Sequence, residues 1–258
     1  MTMLDLHKRI IDYWDNQPCN IKHSDKTVGS QEFFEENSER RYFVEPHIKE
    51  FAQFHEYQGK RVLEIGCGIG ADAAEFVKHG ADYTGIDISA ASVQLSEQRF
   101  DCFGLPGKFH VMSAMDNLTS LGEFDMVYSM GVLHHYPDID QAIKNIHQVL
   151  VPQGEFKFMV YAKHSWKYAM IQKGLDQFEA QAGCPYAKAY SREQIYHLVS
   201  GLFNIGRIRQ SHCFMYNVPQ YRRGSYELEP WFEIMPEAMR EALREYLGWH
   251  LLVKCSKI

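Results

Sequence analysis

One short stretch constrains this chain more than any other: Arg61-Val62-Leu63-Glu64-Ile65, followed at once by Gly66-Cys67-Gly68-Ile69-Gly70. The first five residues read as a short strand. The three glycines after it let the backbone turn tightly and approach a ligand closely. Residues 71–79 then read as a helix that stops at Gly80. The unit repeats along the chain. A second strand, 82–86, ends at Asp87, and Ser89 caps a helix running to about Phe103. Residues 108–112 and 124–129 are the third and fourth strands. Residues 138–150 form a helix, with Ile139, Ala142, Ile143, Ile146, Val149 and Leu150 at helical spacing. A turn at Pro152-Gln153-Gly154 precedes a fifth strand, 155–161. Strands alternating with helices predict an α/β fold, a doubly wound and mostly parallel sheet with right-handed crossovers. Ligands of such sheets sit at the carboxyl ends of the strands, near the switch point, and Gly66, Asp87, Ala114 and Ser129 all fall there.

The flanks follow a different pattern. Residues 1–58 are expected as a helical N-terminal cover: one short helix through Trp14, a break at Pro18-Cys19-Asn20, a second helix over 31–42, and a third from Pro46 to about Tyr57. Residues 59–258 form the main domain. Its tail carries a helix near 191–200, a strand near 205–213 and a final strand at 250–254. The stretch 214–248, rich in aromatics, Pro and Arg, reads as an insertion between two paired strands, set as a lid over the pocket. Tyr13, Trp14, Trp166, Tyr190, Tyr221, Trp231 and Phe232 are candidates for pocket walls, although ordinary packing explains each one singly.

Composition narrows the partners. The chain's 258 residues suffice for one α/β domain with a substantial core. A net charge of −6 argues against a partner held chiefly through phosphates, so no nucleic acid is expected. No apolar span is long enough for a membrane helix, and the first ten residues lack the apolar core of a signal peptide. The six cysteines are scattered, and no close Cys or His spacing suggests a metal, so none is expected. A reduced, cytoplasmic chain follows, and a homodimer is compatible with it.

The glycine turn alone does not choose a ligand, because Gly66-x-Gly68-x-x-Ala71 also fits a dinucleotide fingerprint. Glu64 discriminates. A dinucleotide sets an anionic pyrophosphate over this turn, where a nearby carboxylate repels it; S-adenosylmethionine brings a cationic sulfonium and ammonium instead. Asp87, about 20 residues on, suits the two ribose hydroxyls. The plainer alternatives are a surface strand residue for Glu64 and a helix cap for Asp87.

Four segments in order resemble the motifs of class I (Rossmann-like) S-adenosylmethionine-dependent methyltransferases. These are Val62 to Gly70, Tyr83-Thr84-Gly85-Ile86-Asp87-Ile88-Ser89, Tyr128-Ser129-Met130-Gly131-Val132-Leu133-His134-His135, and Val149-Leu150-Val151-Pro152-Gln153-Gly154. The likeness covers about residues 60–161. Pro18-Cys19-Asn20-Ile21-Lys22-His23-Ser24, Arg41 to Ile48 and Gly183-Cys184-Pro185 further resemble a bacterial, methyltransferase type 11-like subgroup. The resemblance implies a seven-stranded sheet, with S-adenosyl-L-methionine as methyl donor and S-adenosyl-L-homocysteine as product. It assigns Glu64, Gly66, Cys67, Gly68, Gly70, Asp87, Ile88 and Ser129 to the donor. The third strand departs from the family pattern: Ser113-Ala114 stand where a polar residue usually reaches the adenine amine. Main-chain groups of Ala114 and Met115 are expected to hold adenine, with Asp116 as a substitute. Gln153 replaces the usual first glycine of the turn before strand five.

Methyl transfer from a sulfonium is an in-line displacement that needs alignment and exclusion of water. An oxygen or nitrogen acceptor also loses a proton, a task suited to His134 or His135 after the fourth strand, unless they simply pack there. Tyr161 is expected to orient the acceptor or to pack in the core. Arg41 and Tyr42 are candidates to reach the methionine carboxylate from the cover. The expected activity is methylation of a small-molecule acceptor in specialised, natural-product metabolism. The rival readings are a peptide, protein or RNA acceptor, a cofactor-binding protein without catalysis, and a nicotinamide-dependent oxidoreductase.

Overall fold

The computed structural model of the protein describes residues 2–175 and 183–258. Three helices come first: α1 (Met3–Asn16), α2 (Gln31–Val44) and α3 (His47–Ala52). The alternating unit follows as β1 (Arg61–Ile65), α4 (Ala71–Lys78), β2 (Asp82–Asp87), α5 (Ala90–Phe103), β3 (Lys108–Val111), β4 (Phe124–Met130), α6 (Ile139–Val149) and β5 (Leu150–Tyr161). The chain continues through α7 (Trp166–Gln172), α8 (Arg192–Val199), β6 (Phe203–Ser211), α9 (Val218–Tyr221), α10 (Pro230–Glu233), α11 (Glu237–Leu247) and β7 (His250–Lys257).

The seven strands form one sheet in the order β3-β2-β1-β4-β5-β7-β6. Only β7 runs against the others, between β5 and β6. The chain steps outward from β1 to β3 and then returns to set β4 beside β1. The loops after β1 and β4 therefore part company and open a crevice at the carboxyl edge. Covered on both faces, β1 buries four of its five residues. Its alternation sorts them: Leu63 and Ile65 join the core beneath α6 and α8, while Val62 joins the opposite core with Tyr83, Tyr128 and Phe76 of α4. Glu64 lies on the Val62 face by the two-residue period, which points a carboxylate toward the start of α4. Local capping sets the helix ends. The Ser89 hydroxyl accepts from the Ser92 amide to start α5, and Gly104 ends it at φ +61°. The Asp138 side chain likewise opens α6.

Beyond shifted element ends, such as α3 stopping at Ala52 rather than near Tyr57, the structure departs from the sequence expectations in three places. The strand that ends at Tyr161 begins at Leu150, and the expected turn lies inside it as a bulge. Leu150 pairs with Phe124 and the next pair is Glu155 with Met126, while Gln153 adopts φ +63°. Gln153 thus takes the left-handed conformation that glycine would enter freely. Second, α7 has no counterpart in the sequence reading. Third, 214–248 contains three helices but packs on α2 rather than over the crevice: Phe214, Val218 and Tyr221 cluster with Val44, and the Arg40 guanidinium sits 4.7 Å above the Tyr221 ring. Among the described residues, no helix is long and apolar enough to cross a membrane.

Candidate active site

The crevice between the β1 and β4 loops is a partly enclosed cavity lined by the glycine turn, Glu64, Asp72, Asp87 and Val132. Its floor is the glycine turn. Gly66, Gly68 and Gly70 all have positive φ (79°, 56° and 74°), a conformation L side chains rarely adopt. Gly66 is also short of space: a Cβ there would come within 2.3 Å of Val132, so the two loops touch at this point. Gly68 has open space around its Cα and lines the cavity with bare backbone. From α5, Arg99 braces the turn by donating to the Ile69 carbonyl at 2.7 Å, with its guanidinium over the Phe34 ring.

Asp87 ends β2 at the cavity wall. Its carboxylate accepts from the Gly68 amide at 3.0 Å and the Ser89 amide at 2.9 Å, which fixes its orientation against the turn. Burial pushes its pKa up to about 6, against the lowering pull of those two amides. Glu64 also lines the cavity and accepts from the Tyr83 hydroxyl at 2.6 Å. Burial first, and then the neighbouring Asp72 carboxylate, hold Glu64 well above its ordinary range.

Asp72, unremarked in the sequence, is the hub of the cavity's inner end. It receives the Arg41 guanidinium through Nε at 2.9 Å and Nη2 at 2.7 Å. The Tyr42 and Tyr128 hydroxyls donate to it as well, at 2.9 and 3.1 Å. Read from sequence, an acid in the first turn of a helix is ordinary dipole complementation. Its partner lies 31 positions earlier, beyond any local pattern.

The other expected residues divide. Cys67, Ile88, Arg41 and His135 line the cavity. Tyr42, adjacent to Arg41 on α2, does not: successive helical residues diverge, and its hydroxyl turns to Asp72. Ser129 is buried and donates to the Ile65 carbonyl, tying β4 to β1. Ala114 is buried as well; Tyr136 takes its amide and Asn145 its carbonyl. The Met115 amide donates to Ser113 Oγ, and Asp116 accepts from the Ser113 amide. These groups expected to meet adenine are thus engaged by Tyr136, by Asn145 of α6 and within their own loop, and neither Ala114 nor Met115 lines the cavity.

The two histidines also separate. His135 lines the cavity, and its Nδ1–H donates to the Tyr186 carbonyl at 2.8 Å, which leaves Nε2 as the bare nitrogen of the neutral ring. Burial lowers its pKa to about 4. His134 packs between His135 and Tyr161, with ring centroids 4.2 and 3.8 Å away. Tyr161 stacks on Trp249 at 4.2 Å, and neither it nor His134 is on the cavity wall. The N-terminal cover supplies a roof: His7, Ile10 and Trp14 of α1 close the cavity, with Trp14, a wall candidate from the sequence, edge-on to His135 at 5.1 Å. Asp15 fixes that roof by accepting from Ser89 Oγ at 2.8 Å. Of the aromatic wall candidates, only Trp14 lines this cavity.

An open sheet in this strand order, with a glycine turn at the switch point and an acid at the tip of β2, defines a class I methyltransferase fold. Comparisons with known proteins agree. Residues 37–218 match the family described as "Methyltransferase domain". The phthiotriol/phenolphthiotriol dimycocerosates methyltransferase 1 of Mycobacterium ulcerans is 31% identical over 151 residues, 57% of this chain and 52% of that protein. Among solved structures, geranyl diphosphate C-methyltransferase from Streptomyces coelicolor, in complex with S-adenosyl-L-homocysteine, superposes with TM-score 0.65, 13% identity and 98% coverage of both chains. Magnesium protoporphyrin IX methyltransferase from Synechocystis follows with TM-score 0.61, 14% identity and 98% coverage of both. The chain spans about a quarter to a half of the length of the curated relatives it matches. It belongs to the methyltransferase-domain family, and its fold is that of the class I S-adenosylmethionine-dependent enzymes.

Proposed function

We propose that the chain transfers a methyl group from S-adenosylmethionine to an oxygen or nitrogen of a small-molecule acceptor in specialised metabolism. The observation that carries this reading is the pair of carboxylates, Glu64 and Asp87, flanking a glycine turn inside a roofed cavity. Asp87 takes the ribose hydroxyls while the Gly68 and Ser89 amides hold it in place. Glu64 answers the cationic end of the donor. Arg41, already committed to Asp72, sets the local charge balance more than it grips the methionine carboxylate. Ile88 and Val132 supply apolar walls, and the α1 roof excludes water from the displacement. A helix laid across the mouth favours a small acceptor over a polymer. The names of the relatives, which refer to dimycocerosates and geranyl diphosphate, agree. His135 is the proton acceptor, neutral throughout the physiological range and aimed by the Tyr186 carbonyl.

The test is transfer of labelled methyl from S-adenosylmethionine into an extract of the source cells. Label is expected in the small-molecule fraction. His135→Gln is expected to lower the rate by about 100-fold or more, with a far smaller change in S-adenosylhomocysteine affinity. Label confined to protein or RNA would contradict the acceptor class, and an undiminished rate would remove the base.

Binding also carries a pH signature. Only the ionised Asp87 accepts both hydroxyls, so the ligand favours the deprotonated form. Because the free-protein pKa is raised to about 6, affinity should be full above that value and fall on acidification through it. The limiting slope is about tenfold per pH unit. Glu64, also raised, acts in the same direction. Calorimetry from about pH 5 to about pH 8, spanning that value, checks this, and an affinity independent of pH would contradict it.

A further inference from the structure

Beyond the cavity, at the same edge of the sheet, four side chains converge from four segments. Glu45 follows α2, His47 opens α3, His212 follows β6 and His250 opens β7. The three histidines are buried. His47 Nε2 lies 2.9 Å from His250 Nδ1, and His250 Nε2 lies 3.5 Å from Glu45 Oε1. The His212 ring is centred 4.6 Å from that of His250. One donor atom each from Glu45, His212 and His250 falls within 4.8 Å of the others.

Two features favour a cation over simple packing. His212 holds φ +62°, a left-handed conformation that costs a non-glycine residue about 1 kcal/mol or more. The corner maintains it: the Trp249 amide donates to the His212 carbonyl at 2.7 Å, and Gly248 approaches so closely that a Cβ there would come within 2.3 Å of the Ser211 carbonyl oxygen. The second feature is the division of the His250 ring. With Nδ1–H donating to His47, Nε2 presents a lone pair to a carboxylate oxygen, and two acceptors face each other. In the other tautomer Nε2–H meets that oxygen at 3.5 Å, beyond ordinary hydrogen-bond length. An ion between them satisfies both. The other Glu45 oxygen is 3.8 Å from Arg41 Nη1, which serves as an outer partner.

We propose that Glu45, His212 and His250 bind a divalent first-row transition-metal ion of the zinc or iron type, with His47 orienting His250. Two imidazoles and a carboxylate are the donor set such ions take, and three protein ligands leave a coordination position open. Bonds of about 2.0–2.2 Å put tetrahedral ligand atoms about 3.4 Å apart, so side-chain rotations of about 1 Å close the set. His250 pairs in register with Tyr161, and Glu45 reaches Arg41 on the cavity wall, so the ion lies beside the proposed donor site. The open position suits an anionic oxygen or sulfur of the acceptor, an extension that rests on the function proposed above.

The experiment uses the untagged full-length chain, stripped of metal and titrated with Zn²⁺, with Co²⁺ as a spectroscopic probe. The expected result is one ion per chain, with visible Co²⁺ bands of a low-coordinate site. His212→Asn keeps the left-handed backbone, which Asn tolerates, and should weaken uptake by more than about 100-fold. His47→Gln should weaken it by about 10–100-fold. Failure of the native chain to take up either ion stoichiometrically would overturn the proposal, as would undiminished uptake by His212→Asn and His250→Gln. S-adenosylhomocysteine binding, measured on the same samples, reports folding and tests the proposed function separately.

Discussion

Asp87→Ala is expected to weaken S-adenosylhomocysteine binding by at least about 100-fold. Two hydroxyls donating to one ionised carboxylate make charge-assisted bonds worth about 1.5–3 kcal/mol each, and about 3 kcal/mol already exceeds a factor of 100. The substitution also frees the Gly68 and Ser89 amides that the carboxylate now receives, so the turn loses its anchor together with its ligand. Titration calorimetry reads the affinity directly. A change of less than about threefold, under 1 kcal/mol, would mean that the ribose lies elsewhere.

Asp72→Ala is expected to cost about 3–5 kcal/mol of stability, the usual penalty for stranding a buried partner of an ion pair. Arg41 loses both of its bonds to the carboxylate, and the Tyr42 and Tyr128 hydroxyls lose their acceptor. For a chain of this size each kcal/mol lowers Tm by about 2–4 °C, so a fall of about 6–20 °C should appear in thermal unfolding. Removing Arg41 as well should cost less than the sum of the single changes, because the charge left unpaired by one is removed by the other. A Tm within about 2 °C of the parent would show the pair to be dispensable.

The sheet was legible from sequence because its signals are local. Apolar runs, glycines and cap residues mark β1 to β4 and the helices between them almost residue by residue, as Ser89 and Gly104 do for α5. The order of those elements is enough to bring Gly66 and Asp87 together. What was not legible depends on separation along the chain. The cover was expected, but its hold on the site was not: Asp15 accepts from Ser89 Oγ and the Ala91 amide, 74 and 76 positions away. The Asp72 hub is assembled from α2, α4 and β4. The aromatic stretch 214–248 has the composition of a lid, but Arg40, Phe43 and Val44 give its rings a surface to pack on away from the cavity. After β3, hydrogen bonds to Tyr136 and Asn145, 22 and 31 positions on, and a local one to Ser113 occupy groups expected to meet adenine. His47, His212 and His250 meet only because β7 returns antiparallel between β5 and β6, a topology that spacing alone does not reveal.

The central claim is that the acid-flanked turn receives a sulfonium nucleoside and rejects a dinucleotide. Calorimetric titration of the native chain with S-adenosylmethionine, S-adenosylhomocysteine and NADH examines it most directly. Saturable one-to-one binding of the first two and no heat with NADH is the predicted result. Tight uptake of NADH with no response to either sulfur nucleoside would contradict the account.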